Sequence, residues 1–359
     1  MADRSSCVVV TGVLGLVGSA AAKRFLAEGF SVVGIDNDSR RTFFGEEGST
    51  MEVLDDFIDV KGFSFYRADL RNVSAIQDVF SEHALKIAAV IHTASLPAHE
   101  TCDQNPRLAF DVNVTGTVNI LEAVREYCPS ATLIFTSSSK VWGCRHNLLP
   151  YIEHEKRYDL PKNHPYYSGI PEPHNNDRDE RSFLGTTKLA ADVLCQEYAY
   201  KFGIPTTIFR PVCLTGPNHK GTEAHGFLSY LTRCAIMEKP YQIYGYKGKQ
   251  VRCNWHVKDM VAAFSMVVQD PSPLQVFNVG GSRHSNCSTL EAIDIINEHI
   301  GRRMKWEYRE TPRAADHLWA IGSADAFLKR YPKYRWMYGT EDIIHELLDA
   351  WQHRKTHQA

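Results

Sequence analysis

The chain has 359 residues, and its 40 Lys and Arg against 42 Asp and Glu leave a formal net charge of −2. Hydrophobic residues make up 43% and charged residues 23%, proportions that exclude a disordered or fibrous chain. A pI near 6.8 provides no broad field for nucleic acid or an anionic membrane, so any phosphate must be held by a local site.

The length suits about two domains. No apolar run approaches the roughly 18 residues a membrane helix needs. Residues 1–6 lack a hydrophobic core, so a signal peptide is not expected. Nine cysteines are scattered without a Cys-x-x-Cys pair, which points to free thiols in a reducing compartment, the cytoplasm.

Apolar, largely β-branched runs at 8–10, 31–35, 64–67, 88–92 and 132–136 predict strands, and amphipathic stretches at 20–28, 73–84 and 113–127 predict helices. Segments 206–210 and 276–279 read as later strands of the same sheet. Such alternation implies βαβ units and a parallel sheet covered on both faces. Residues 144–181 contain five prolines and read as a long surface insertion. The expected division is a domain over 1–215, to which a strand near 276–279 returns, and a smaller lobe over 216–359.

Thr11-Gly12-x-x-Gly15-x-x-Gly18 follows the first strand and opens a helix. Gly12 allows a tight turn, Gly15 lets the backbone approach a pyrophosphate, and Gly18 lets helix and strand pack closely. The helix N-terminus then favours the anion. Asp36 ends the second strand, about 20 residues on, where a carboxylate accepts from ribose hydroxyls and repels a 2′-phosphate. NAD is therefore preferred over NADP, although Arg40 and Arg41 follow closely. Asp69 suits either an adenine contact or a helix N-cap. The fold class expected is α/β, a Rossmann doubly wound parallel sheet with a smaller C-terminal substrate-binding lobe.

These features, with Ile91-His92-Thr93-Ala94, Asn113-Val114-x-Gly116-Thr117, Ser137-Ser138-Ser139-Lys140-Val141-Trp142-Gly143, Arg210-Pro211 and Phe277-Asn278-Val279-Gly280, resemble the extended short-chain dehydrogenase/reductase family, the nucleotide-sugar epimerases and dehydratases. The resemblance spans nearly the whole chain. It implies an enzyme that oxidises a sugar carbon with bound NAD, turns the ketone and returns hydride to the other face. It also implies cofactor contacts from Gly12, Gly15, Leu16, Val17, Asp36, Asn37, Asp69, Leu70, Thr93, Ala94, Ser95 and Lys188. Substrate contacts would come from Ser138, Lys140, Asn218, Arg252 and Arg313, with Lys220 and His225 nearby.

The family uses a Ser or Thr after a central strand and a Tyr-x-x-x-Lys helix, its two side chains one turn apart. Lys188 matches the lysine, but Leu184 occupies the tyrosine position, and leucine carries no proton. Three readings compete. The acid/base is another group, such as Lys188, Ser138 or a residue of the insertion; or the protein binds without turnover; or the chain was altered here to trap a ligand. Ser138, Lys188 and Ser139 are the catalytic candidates. Tyr158-x-x-x-Lys162 fits by letter, but Pro161 breaks the helical turn. Tyr166 and Tyr167 read as packing residues, and Asp177, Asp179 and Glu180 as a solvated acidic stretch.

Related 4,6-dehydratases carry Asp-Glu where this chain has Ser139-Lys140, which disfavours water loss and favours epimerisation. A dehydratase or oxidoreductase using Lys188 stays as an alternative. Arginines suit bidentate pairing with a diphosphate, and the resemblance makes CDP- or UDP-sugars the expected partners. His92 and His256 read as satisfied structural groups, and no metal-ligand spacing occurs. The family often dimerises through two helices, here 107–127 and 188–202.

Overall fold

Val8, Val9 and Val10 are fully buried, and their strand pairs in parallel on both sides, Val8 opposite Val32 on one flank and Ala89 on the other. Burial on both faces is what makes such a strand a continuous apolar run. The computed structural model describes residues 6–172, 178–223 and 225–358; Asp177 lies outside them.

The chain divides into two compact units. The first comprises Met1–Ser138, Phe183–Phe209 and Met260–Phe277. Its strands are β1 (Cys7–Thr11), β2 (Ser31–Asp36), β3 (Phe63–Arg67), β4 (Ile87–His92), β5 (Thr132–Thr136), β6 (Thr206–Phe209) and β7 (Leu274–Phe277). They form one seven-stranded parallel sheet in the order β7-β6-β5-β4-β1-β2-β3. The reversal of strand order at β1 and β4 is the switch point at which doubly wound sheets bind ligands, beyond the carboxyl ends of the strands. Val9, Ile35, Phe80, Val90, Leu121, Leu133 and Phe135 belong to the core.

The helices that matter here are α1 (Leu16–Ala27), α2 (Ser39–Phe44), α3 (Val73–His83), α4 (His99–Gln104), α5 (Pro106–Phe110), α6 (Gly116–Tyr127) and α7 (Phe183–Phe202). The expected 113–127 helix begins instead with a π-helical turn at Asp111–Thr115. The expected 276–279 strand lies two residues earlier, and Asn278 and Val279 follow it as buried residues.

The second unit holds Ser139–Ser182, Arg210–Asp259 and Asn278–Ala359. Its helices Phe227–Ile236, Thr289–Ile300 and Thr340–Gln358 pack through Leu231, Ile293, Ile296, Ile344, Leu347 and Trp351. Thr289–Ile300 starts with a capping box of Ser288 and Glu291, which satisfies two otherwise unpaired backbone groups. The described part of the proline-rich insertion is anchored through residues 152–170. Ile152–Glu153 pairs with Tyr158–Asp159, Leu160 and Ile170 are buried, and Arg283 grips Asp159 through two bonds of 2.8 and 2.9 Å.

Candidate functional site

The glycine turn is forced by its neighbours. Gly12 has φ +69°, and a Cβ there would stand 2.9 Å from both the Cα and the nitrogen of Ala94. A side chain on Gly18 would collide with the Gly12 carbonyl, whereas one on Gly15 would meet that oxygen at 3.2 Å. Gly12 N–H donates to Ile35 O at 2.8 Å and Gly15 N–H to Gly12 O at 3.0 Å. Gly15 caps α1, whose first turn, with half-buried Leu16 and Val17, carries no acidic residue. That leaves the positive end of the helix open to an anion.

The end of β4 is tied to this turn. Thr93 Oγ1 donates to Thr11 O at 2.7 Å and Ala94 N–H to Thr11 Oγ1 at 3.3 Å; Thr93, Ala94 and Ser95 are all half-buried. His92 Nδ1 is 2.7 Å from the Thr11 hydroxyl and Nε2 is 3.0 Å from the Thr117 hydroxyl, which itself donates to Asn113 O at 2.6 Å. Thr117 therefore accepts from Nε2–H, and Nδ1 accepts from Thr11. Burial, with Lys188 nearby, pushes His92 down to about 3, so the ring is neutral and structural.

The Asp36 carboxylate accepts from Leu14 N–H at 3.0 Å and Asp38 N–H at 2.8 Å; burial nevertheless raises its pKa. Asp69 does not cap α3, because Asn72 does so through Ala75 N–H. Instead Asp69 accepts from Arg71 at 2.7 and 2.9 Å and from Asn37 at 2.8 Å, and the Arg71 bonds lower its pKa. Leu70 is buried against the core. Arg40 lies 4.7 Å over the Phe44 ring, and Arg41 pairs with Glu46 at 2.6 Å.

Lys188 is 6% exposed, and its ammonium donates to Thr136 O at 2.8 Å and lies 4.9 Å over the Phe135 ring. Burial lowers it to about 8, against opposing pulls from Cys195, Asp192 and Cys102. Leu184, one turn earlier, is 6% exposed in an apolar cluster with Leu96, Cys102 and Ala109, against which Phe43, Leu108 and Val112 pack. Of the three serines after β5, Ser137 and Ser139 are buried and Ser138 is half-buried. The Thr136 hydroxyl is buried with no hydrogen-bond partner.

In the second unit the carboxylate of Asp316 gathers the basic candidates. Arg252 donates to it at 2.7 Å, and Lys140 stands 3.8 Å away while donating to Ala315 O at 3.1 Å. Burial would raise Asp316, but Arg252 and Lys140 pull it below the usual carboxylate range. Asp316 carries no signal in the sequence, because its partner Arg252 lies 64 residues away. Arg313 is not drawn into this group. It is exposed, 4.6 Å over Tyr244, and donates to Glu223 O at 2.8 Å. Asn218 is exposed, Lys220 half-buried, and the His225 ring lies 5.5 Å from that of His219.

Other candidates have structural roles. His256 donates through Nε2 to Glu346 at 2.5 Å, accepts from Lys258 N–H, and stacks 3.8 Å from Tyr338. Tyr158 lies on a two-residue strand, and Tyr167 stacks 3.9 Å from the Arg283 guanidinium. Asp179, expected in a solvated stretch, instead accepts from Cys144 N–H at 2.8 Å and Arg145 N–H at 2.9 Å, because the backbone beyond Gly143 needs partners. Among the described residues no group of three or more His, Cys, Asp or Glu could hold a metal ion, and no helix is long and apolar enough to cross a membrane.

The chain is 29% identical over 310 residues to the CDP-paratose 2-epimerase of Salmonella typhi, covering 83% of this chain and 86% of that protein. It is 26% identical over 303 residues to the UDP-glucuronate 4-epimerase of Thermodesulfobacterium geofontis, covering 84% and 82%. The crystal structure of UDP-glucuronic acid 4-epimerase from Bacillus cereus, in complex with UDP-glucuronic acid and NAD, shares the fold at a TM-score of 0.78, with 19% identity and coverage of 97% and 99%. Residues 8–280, from the first strand past the last strand of the large sheet, match one family throughout, and the chain belongs to the NAD dependent epimerase/dehydratase family.

Proposed function

We propose that this protein is an NAD-dependent epimerase of a nucleoside diphosphate sugar, a CDP- or UDP-sugar. It would act by transient oxidation of a sugar hydroxyl, reorientation of the ketone and re-reduction. The observation that carries the reading is Lys188, buried at the carboxyl end of β5 with its ammonium on Thr136 O, in the same unit as the glycine turn. The glycine geometry fits a dinucleotide, since Gly12 and Gly18 stand against backbone that a side chain would strike, and Gly15 caps a helix whose first turn carries no acidic residue. When bound, NAD supplies reversible hydride transfer.

Gly12, Gly15, Leu16 and Val17 would face its pyrophosphate, Asp36 and Asn37 the adenosine ribose, and Asp69 and Leu70 the adenine. Thr93, Ala94 and Ser95 would line its path, and Lys188 would hold the nicotinamide ribose. Ser138 would orient the sugar hydroxyl, with Ser139 and Lys140 beside it. Arg252, Arg313 and Asn218 would take the sugar nucleotide, Arg252 leaving or sharing Asp316. Lys188, with its pKa brought to about 8, is the group suited to move the proton that a phenol would otherwise carry. Two copies would pair through α6 and α7, where Val193 and Tyr200 are 52% and 72% exposed, seven residues apart on one helical face. Nine free thiols suit a reducing compartment, the cytoplasm.

Incubation with NAD and a panel of CDP- and UDP-sugars, followed by NMR, tests the reading. A new epimer that keeps deuterium placed at the inverted carbon supports it. The apolar setting of Leu184 favours one rival, a silent binding protein, and tight binding of cofactor and sugar nucleotide with no epimer from any sugar would establish that rival instead.

A further inference from the structure

Asp192 is fully buried one turn beyond Lys188 on α7. Its Oδ2 accepts from the Ser137 hydroxyl at 2.7 Å and its Oδ1 from Gln196 Nε2 at 2.7 Å. The same helix thus grips the chain after β5 twice, at Thr136 O through Lys188 and at the Ser137 hydroxyl through Asp192. Ser137 N–H is spent on Phe209 O at 2.7 Å. Among the described residues, the titratable groups whose charge acts on or is acted on by Lys188 include Asp192 and Cys195 on α7, Cys102 on α4 and His92 on β4, and the Phe135 ring of β5 lies 4.9 Å from its ammonium. Burial keeps both thiols protonated and His92 neutral, and the acidic side chain of Asp192 is buried one turn from Lys188 on the same helix.

We propose that Asp192 is a positioning residue, which locks residues 136–138 through Ser137 so that Ser138 is held in place, and serves as the electrostatic partner of Lys188. This rests on the epimerase reading for its use in turnover, but not for its physical content. Burial of a lysine lowers its pKa, and a nearby carboxylate opposes that lowering; removing the carboxylate therefore makes Lys188 lose its proton at lower pH.

The test follows unfolding by denaturant from pH 6 to 10.5 and hydrogen exchange of the 136–138 segment, neither of which needs cofactor or substrate. Because Lys188 falls from 10.5 to about 8 on folding, the unfolded chain holds the extra proton between those values, and stability from Lys188 rises with pH across that window. Other thiols and phenols titrate there, so the Lys188 contribution is read as the difference between each protein and its Lys188→Met counterpart. Asp192→Asn should start that rise about one pH unit lower and should speed exchange at 136–138 several-fold. Ser137→Ala, which keeps the carboxylate, should speed exchange while leaving the Lys188 window in place.

An unmoved window in Asp192→Asn overturns the proposal. If that variant does not fold, unchanged exchange in Ser137→Ala overturns it instead. Absence of NAD binding by the wild-type protein would sink the epimerase reading alone, since both readouts stand without it.

Discussion

Leu184 and Lys188 stand one turn apart on α7, yet they meet opposite surroundings. Leu184 packs into an apolar cluster with Leu96, Cys102 and Ala109, whereas Lys188 reaches the polar end of β5 at Thr136 O. Leu184 is thus part of the hydrophobic packing of α4, α5 and α7.

Leu184→Ala should therefore lower stability by about 2–4 kcal/mol, the transfer and cavity cost of a buried leucine. Leu184→Tyr adds volume and a hydroxyl to an apolar cluster and should cost about 2 kcal/mol. Lys188→Met, by contrast, should leave the protein folded and remove turnover. Denaturant midpoints beside epimer formation separate the two positions.

The glycines should differ in kind. Gly12→Ala forces a Cβ into a positive φ and against Ala94 backbone, and should cost about 2 kcal/mol or more. Gly15→Ala meets only Gly12 O at 3.2 Å, so it should fold nearly normally yet lose NAD affinity at least ten-fold. Thermal melts and tryptophan-fluorescence titration with NAD read the contrast.

His92 sets an acid limit. The unfolded ring takes a proton near 6.5 and the folded one only near 3, so the unfolded chain holds the extra proton between those values. Stability attributable to His92 should fall by about 1.4 kcal/mol per pH unit as pH drops through this window. In His92→Leu that slope should shrink, measured by denaturation at fixed pH values from 7 to 4.

Asp316 is shifted in the same direction, its pKa lying below the ordinary 3.8. Its contribution is present above that value and is lost as pH falls through the lower folded one. Asp316→Asn removes the negative partner of Arg252 and Lys140 and should cost roughly 3 kcal/mol at neutral pH. Arg252→Ala should weaken CDP- and UDP-sugar binding ten-fold or more, read by calorimetry.

The order of strands and helices and the glycine turn were legible in the chain itself, because they rest on local rules. β-branched runs read as buried strands, and Gly12 marks a turn that needs positive φ. The clamp of Asp192 on Ser137 joins residues 55 positions apart, and the Arg252–Asp316 pair joins residues 64 apart. Periodicity carries no information at that range. The same limit applies to Asp179, whose acidic neighbourhood reads as solvated although its oxygens hold the Cys144 and Arg145 backbone. Local patterning decides which elements form, while the partner of a buried charge is decided by folding, because only the packed chain removes water and leaves each carboxylate to find its donors.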